Sequence, residues 1–177
     1  MKKLMVILAA VVMAGAAHAA AMTWTVLNMQ SQGVQAGWMV ALYDASSTFD
    51  YAAAKDGSLQ ALYTSAAYAS GTTVRINSSG NNNPEGNPFA PGDSISAYAV
   101  IFNAETIADA TQVLISGTKT ATVNAQGSNI TLAFGNMAAT TTANTFLNSS
   151  WQAVPEPTSG LLMLVGLGAL ALRRRRA

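Results

Sequence analysis

Two eight-residue runs, AGWMVALY at 36–43 and ISAYAVIF at 95–102, most constrain what this chain can fold into. Both are rich in β-branched and aromatic residues and are apolar on both faces, as strands covered from both sides are. A fold that hides them needs a sheet with a layer above and a layer below.

Shorter segments supply the rest of the sheet material. TVRIN (73–77) sets Val74 and Ile76 against Thr73, Arg75 and Asn77, and ITLAF (130–134) sets Ile130, Leu132 and Phe134 against Thr131 and Ala133. This period of two predicts half-buried strands. TWTVL (23–27), TQVLIS (111–116) and TKTATV (118–123) add more, separated by turn chemistry at Gln32-Gly33, 78–92, Ser116-Gly117 and Gln126-Gly127. One stretch has a different period. After Gly57, Ser58 is placed to cap a helix in which Leu59, Leu62, Tyr63 and Ala66 share a face, and the surrounding alanines favour the same conformation. The predicted fold class is therefore mainly β. It is an antiparallel β-sandwich or barrel-like domain with one or two short helices, flanked by an N-terminal signal peptide and a C-terminal short transmembrane helix.

The flanks are read from charge and hydropathy order. MKK, the apolar LMVILAAVVMAGA and then Ala17-His18-Ala19 follow the order of a secretory signal peptide, with small Ala17 and Ala19 marking a signal peptidase site. At the other end, Ser159 to Leu172 carry no charge but reach only about 21 Å as a helix, short of the roughly 30 Å hydrocarbon core. Arg173, Arg174, Arg175 and Arg176 follow, and the positive-inside rule keeps them cytoplasmic. Pro155 and Pro157 hold the backbone around Glu156 extended, which displays the carboxylate on the outer side. Four sections result: 1–19, signal peptide; 20–137, a β-rich extracytoplasmic domain; 138–153, a polar spacer or last strand; and 154–177, the tail.

Val154-Pro155-Glu156-Pro157-Thr158, the short apolar helix and the terminal arginine cluster together resemble the PEP-CTERM sorting signal of bacterial surface proteins, which is read by exosortase. The resemblance implies that Pro155, Glu156 and Pro157 are the recognition element and processing point. It further implies that residues 160–172 hold the precursor briefly in the inner membrane and that Arg173 to Arg176 fix topology. The implied partner is a multi-spanning, cysteine transpeptidase-like exosortase, associated in such bacteria with exopolysaccharide export. The LPxTG motif of a sortase signal is missing, and the expected strands are too few for an outer-membrane barrel.

Composition limits the middle. Six of the nine basic residues lie in the terminal signals, leaving Lys55, Arg75 and Lys119 against seven acids, so the domain has no electrostatic footprint for nucleic acid. The chain has no cysteine, and its one histidine, His18, lies in the signal peptide. Imidazole- or thiol-based triads and zinc sites are thereby excluded from the mature domain. A carboxylate pair of the glycosidase kind would need two of seven scattered acids to meet, and solvated turn acids are the favoured reading. No resident metal or cofactor is expected. Asn81 to Asn83, Glu85 and Asp93 offer oxygen ligands to calcium, but the same loop serves equally as plain turns. Trp24, Trp38 and Trp151 are candidates for a sugar-stacking platform, with core packing favoured. Asn77, Asn129 and Asn148 head glycosylation sequons, and glycan on the Thr-rich passage at 140–145 is a further expectation.

The expectation is an exported cell-surface or extracellular-matrix protein, inner-membrane-held as precursor, sorted by exosortase and non-catalytic. The alternatives are a carbohydrate-binding module for exopolysaccharide and, behind it, a carboxylate-dependent glycosidase.

Overall fold

A computed structural model describes residues 21–80, 89–124 and 129–154. The chain is mainly β. In chain order the strands are β1 (Met22–Leu27), β2 (Met39–Asp44), β3 (Tyr63–Ala66), β4 (Tyr68–Ser70), β5 (Thr73–Gly80), β6 (Ser94–Phe102), β7 (Gln112–Ile115), β8 (Lys119–Thr122), β9 (Ile130–Asn136) and β10 (Gln152–Ala153). Among the described residues a 3-10 turn spans Met29–Gln32, and one α-helix, α1, spans Tyr51–Asp56.

The strands form two sheets. The first runs β4-β5-β1-β9 and the second β10-β7-β6-β2-β3, with β8 also paired to β6. The two runs that are apolar on both faces become β2 and β6, adjacent and antiparallel, with Leu42 opposite Ala99 and Val40 opposite Ile101. Their alternate side chains enter two different cores. Val40, Leu42, Ile95, Ala99 and Ile101 meet Trp24, Val26, Ile76, Leu132 and Phe134 of the first sheet. Ala41, Tyr43, Tyr98, Val100 and Phe102 point the other way, into a second core covered by α1, Phe49, Leu59 and Ile107. Burial on both faces is what their composition required.

The sheets do not close into a barrel, which corrects the barrel-like alternative. Nor is the pairing wholly antiparallel: β1 and β9 run parallel, with Thr23 opposite Thr131 and Trp24 opposite Leu132. Alternation sets which face a strand buries, not the direction of its neighbour, so nothing local in ITLAF distinguishes the two.

The helix expected after Ser58 does not form. The helix lies earlier, where the Asp50 carboxylate accepts the Ala53 N–H at 2.8 Å and Gly57, at φ 84°, ends it. Beyond Gly57 the chain pairs with the exposed edge of β2: Leu62 N donates to Leu42 O at 2.7 Å, and Tyr63 stands opposite Leu42. An unpaired edge beside a central strand outweighs the modest helix propensity of this stretch. The chain then turns at buried Ala67, whose carbonyl accepts Gly37 N–H, and passes into the first sheet as β4.

One edge of β6 is shared in turn by β8 and β7. At the break between them Ser116 is buried, and its Oγ accepts the Ala99 N–H at 2.8 Å while its own N–H donates to Ala99 O at 2.9 Å. The hydroxyl replaces the missing ladder acceptor, so the Ala99 N–H keeps a partner at the break. Among the described residues, no helix is long and apolar enough to cross a membrane. The signal peptide with Ala17 and Ala19, and the apolar segment of the tail, lie outside the described residues.

Candidate sorting site

The tail's attachment to the domain is built from residues 137 to 154. Met137 N donates to Leu27 O at 2.9 Å, continuing β9 past its end. The chain then folds back over Gly135, whose φ of 97° only glycine adopts comfortably and whose missing Cβ leaves room for the Ala143 and Asn144 backbone. Asn144, 4% exposed, organises the turn: its amide donates to Met137 O and Ala139 O, and its Oδ1 accepts the Phe146 N–H. A buried amide with all three partners is a structural anchor.

From there the segment is pinned repeatedly. Thr145 N and Oγ1 both donate to Phe134 O, and Thr145 O accepts from Gly117 N. Phe146 enters the first core, and the Ser149 hydroxyl donates to Ile115 O. Trp151 donates Nε1–H to Gln32 O at 3.0 Å and stands edge-on to Trp38. Gln152 and Ala153 pair antiparallel with Val113 and Gln112, and Val154 N donates to Thr111 O at 3.0 Å. The Val154 side chain belongs to the second core. Pro155 is the next residue, so the structured chain reaches the first proline of the tail with no intervening linker. Pro155, Glu156, Pro157 and Arg173 to Arg176 lie outside the described residues.

Sequence reasoning found the tail but not its fastening. The signal was present in Phe146, Trp151 and Val154, three large apolar residues scattered through a polar passage with no period to betray their burial.

The other candidates fall as follows. Trp24 is fully buried, and Trp38 and Trp151 pack on one another with ring centroids 5.8 Å apart, so the three do not make one platform. Five of the six described acids serve local structure, Glu105 being the sixth: Asp44 accepts Ser46 N–H, Asp50 caps α1, Asp56 accepts Ser58 N–H, Asp93 accepts Ala90 N–H and Asp109 accepts the Thr106 hydroxyl. The Ser58 bonds hold the exposed Asp56 carboxyl below its usual range. No group of three or more His, Cys, Asp or Glu is close enough to hold a metal among the described residues. Asn81 to Asn83 and Glu85 of the calcium alternative lie outside them. Arg75 is spent on the Tyr68 ring, 5.4 Å from its centroid. Asn77, Asn129 and Asn148 are exposed, as are Thr140 to Thr142.

Two shallow grooves, of about 380 and 450 Å³, flank Ser116 and Gly117. Ser47, Thr118 and Gln152 line the larger with Phe49, Tyr98 and Ile115, Thr145 and Asn148 line the smaller with Ile115 and Leu147, and neither lining includes a charged side chain.

No curated protein and no solved structure matches the chain. A family model does match, and the match begins within β10: residues 153–176 match the PEP-CTERM protein-sorting motif.

Proposed function

We propose that the chain is an exported surface or extracellular-matrix protein whose work is structural or adhesive, with no reaction of its own. The observation that carries this is the sorting motif at residues 153–176, which implies export, membrane-anchored sorting and exosortase as processing partner. In this reading signal peptidase removes residues 1–19 after Ala19. The undersized apolar segment then retains the precursor in the inner membrane while Arg173 to Arg176 stay inside. The exosortase thiol attacks one peptide carbonyl at Pro155, Glu156 or Pro157, the tail leaves as an amine that takes up the thiol proton, and water or another nucleophile then cleaves the acyl thioester and regenerates the thiol. The non-catalytic reading is supported by five aspartates committed to caps and turns and by a mature chain lacking imidazole and thiol. The test is genetic. Deleting the exosortase should leave the full tail on the chain and the chain in the membrane fraction, whereas unchanged surface delivery would refute the route.

The grooves beside Ser116 and Gly117 favour a second reading, binding of a neutral glycan from the polysaccharide layer. Uncharged hydroxyl and amide walls with an aromatic ring match the hydrogen-bonding and apolar faces of a sugar. Neutral oligosaccharides should then give saturable tyrosine or tryptophan signals that Gln152→Ala weakens. Linear, non-saturating responses would count against it.

A further inference from the structure

The sorting motif and the folded domain claim the same two residues. The match begins at Ala153, yet Ala153 stands opposite Gln112 in the sheet, and Val154 has its N–H on Thr111 O at 3.0 Å. The Val154 side chain is 9% exposed and packs in the second core. A cleft that reads the residues leading into Pro155 finds the Val154 amide and side chain both already engaged. Peptide recognition in extended form uses these same groups, since main-chain hydrogen bonds give affinity and alternate side chains fill pockets.

We propose that β10 masks the motif: residues 152–154 must leave β7 before exosortase engages the tail, so the fold of the domain governs when the chain is processed. This rests on exosortase being the processing enzyme. The strand suits such a role. It is two residues long, both its side chains are exposed, and it lies at the end of the sheet order, so peeling it away uncovers the β7 edge but leaves the core between the sheets intact. Trp151 and Phe146, the deeper attachments, lie before the peeled residues and hold the rest of the segment. Local opening of this kind belongs to the least stable part of a fold, where few contacts are lost. A consequence is order: chains whose β10 is still free are cut before chains whose β10 is docked.

The absence of cysteine makes the test unambiguous. Ala153 and Gln112 are opposed, both are exposed, and the neighbouring Val154 to Thr111 bond makes theirs the non-hydrogen-bonded pair, whose separation suits a disulfide. The double variant Gln112→Cys/Ala153→Cys, in the full chain expressed with its exosortase, locks β10 in place. Oxidised, it should lose its tail at least about tenfold more slowly than the unaltered chain, and reductant should restore the rate, as should either single variant. A second locked chain carries an extra Ala-Val between Val154 and Pro155, which offers the enzyme its two residues outside the sheet, and it should be processed again. A locked chain processed at the unaltered rate, or one that stays uncut despite the inserted pair, overturns the mask. If the unaltered chain itself keeps its tail in cells with active exosortase, the processing reading fails and the mask with it, a result distinct from either of these.

Discussion

Trp151 stands edge-on to Trp38, with ring centroids 5.8 Å apart and 89° between the planes, and its Nε1–H reaches Gln32 O at 3.0 Å. One residue near the end of the domain thereby closes over the loop between the first two strands. Trp151→Ala should cost about 3 kcal/mol in urea denaturation, at the low end for a tryptophan because Trp151 is only partly buried. Trp151→Phe keeps a ring against Trp38 and loses only the Gln32 bond, for about 1 kcal/mol. Equal losses in the two variants would contradict the packing role.

Gly135 and Gly33 provide a matched pair. Both have positive φ, 97° and 78°, but an added Cβ at Gly33 meets nothing, while at Gly135 it collides with the Ala143 carbonyl and Asn144. Gly33→Ala should cost about 1 kcal/mol from backbone conformation alone. Gly135→Ala adds displacement of the returning segment and should cost about 3 kcal/mol. Similar midpoints for the two would show that the 137–150 segment does not lie tightly on β9.

Asn144→Ala leaves the Met137 and Ala139 carbonyls and the Phe146 N–H without their partner. The expected loss is about 2–3 kcal/mol. Hydrogen exchange should rise at Phe146 and along the following residues before it rises in β6, and uniform acceleration across the sheet would contradict a local anchor.

These positions show how far the sequence was legible. The period of two in TVRIN and ITLAF, and the doubly apolar runs that became β2 and β6, are local patterns with one structural solution, and they appear as strands with the expected faces buried. What stayed hidden depends on partners distant in the chain. The stretch from Leu59 to Ala66 reads as helix by spacing, but the vacant β2 edge draws Tyr63–Ala66 into the sheet. The parallel direction of β9 against β1 is a matter of topology that no five-residue pattern encodes. At the tail the motif was legible because it is defined by residue order alone. The docking of Val154 was not, because a single valine after Gln152 and Ala153 has no periodicity.

Tyr43 is the tyrosine whose burial should weigh most on stability at alkaline pH. It is fully buried against Tyr98, and burial first, then the Tyr98 phenol, push its pKa from 10.0 up to about 12. A folded-state pKa raised in this way contributes stability that is whole below about pH 10 and is lost as pH rises through about 12. Burial also raises Tyr51, Tyr63 and Tyr98, so phenolate absorbance should show a late group of tyrosines in which the ionisation of Tyr43 coincides with unfolding. The Tyr43 hydroxyl has no hydrogen-bond partner, so Tyr43→Phe should leave stability at neutral pH unchanged or raise it by about 1 kcal/mol, and should flatten the alkaline decline. A decline of undiminished steepness in Tyr43→Phe would assign it elsewhere.

Residues 153–176 match a protein-sorting motif, and the proposed route makes them a processing signal and not a lasting anchor. The most direct measurement is the intact mass of the chain recovered from the cell surface. On the proposed route that form ends at or near Pro155 to Pro157, with the apolar segment and Arg173 to Arg176 gone. A surface form that retains those four arginines would contradict it.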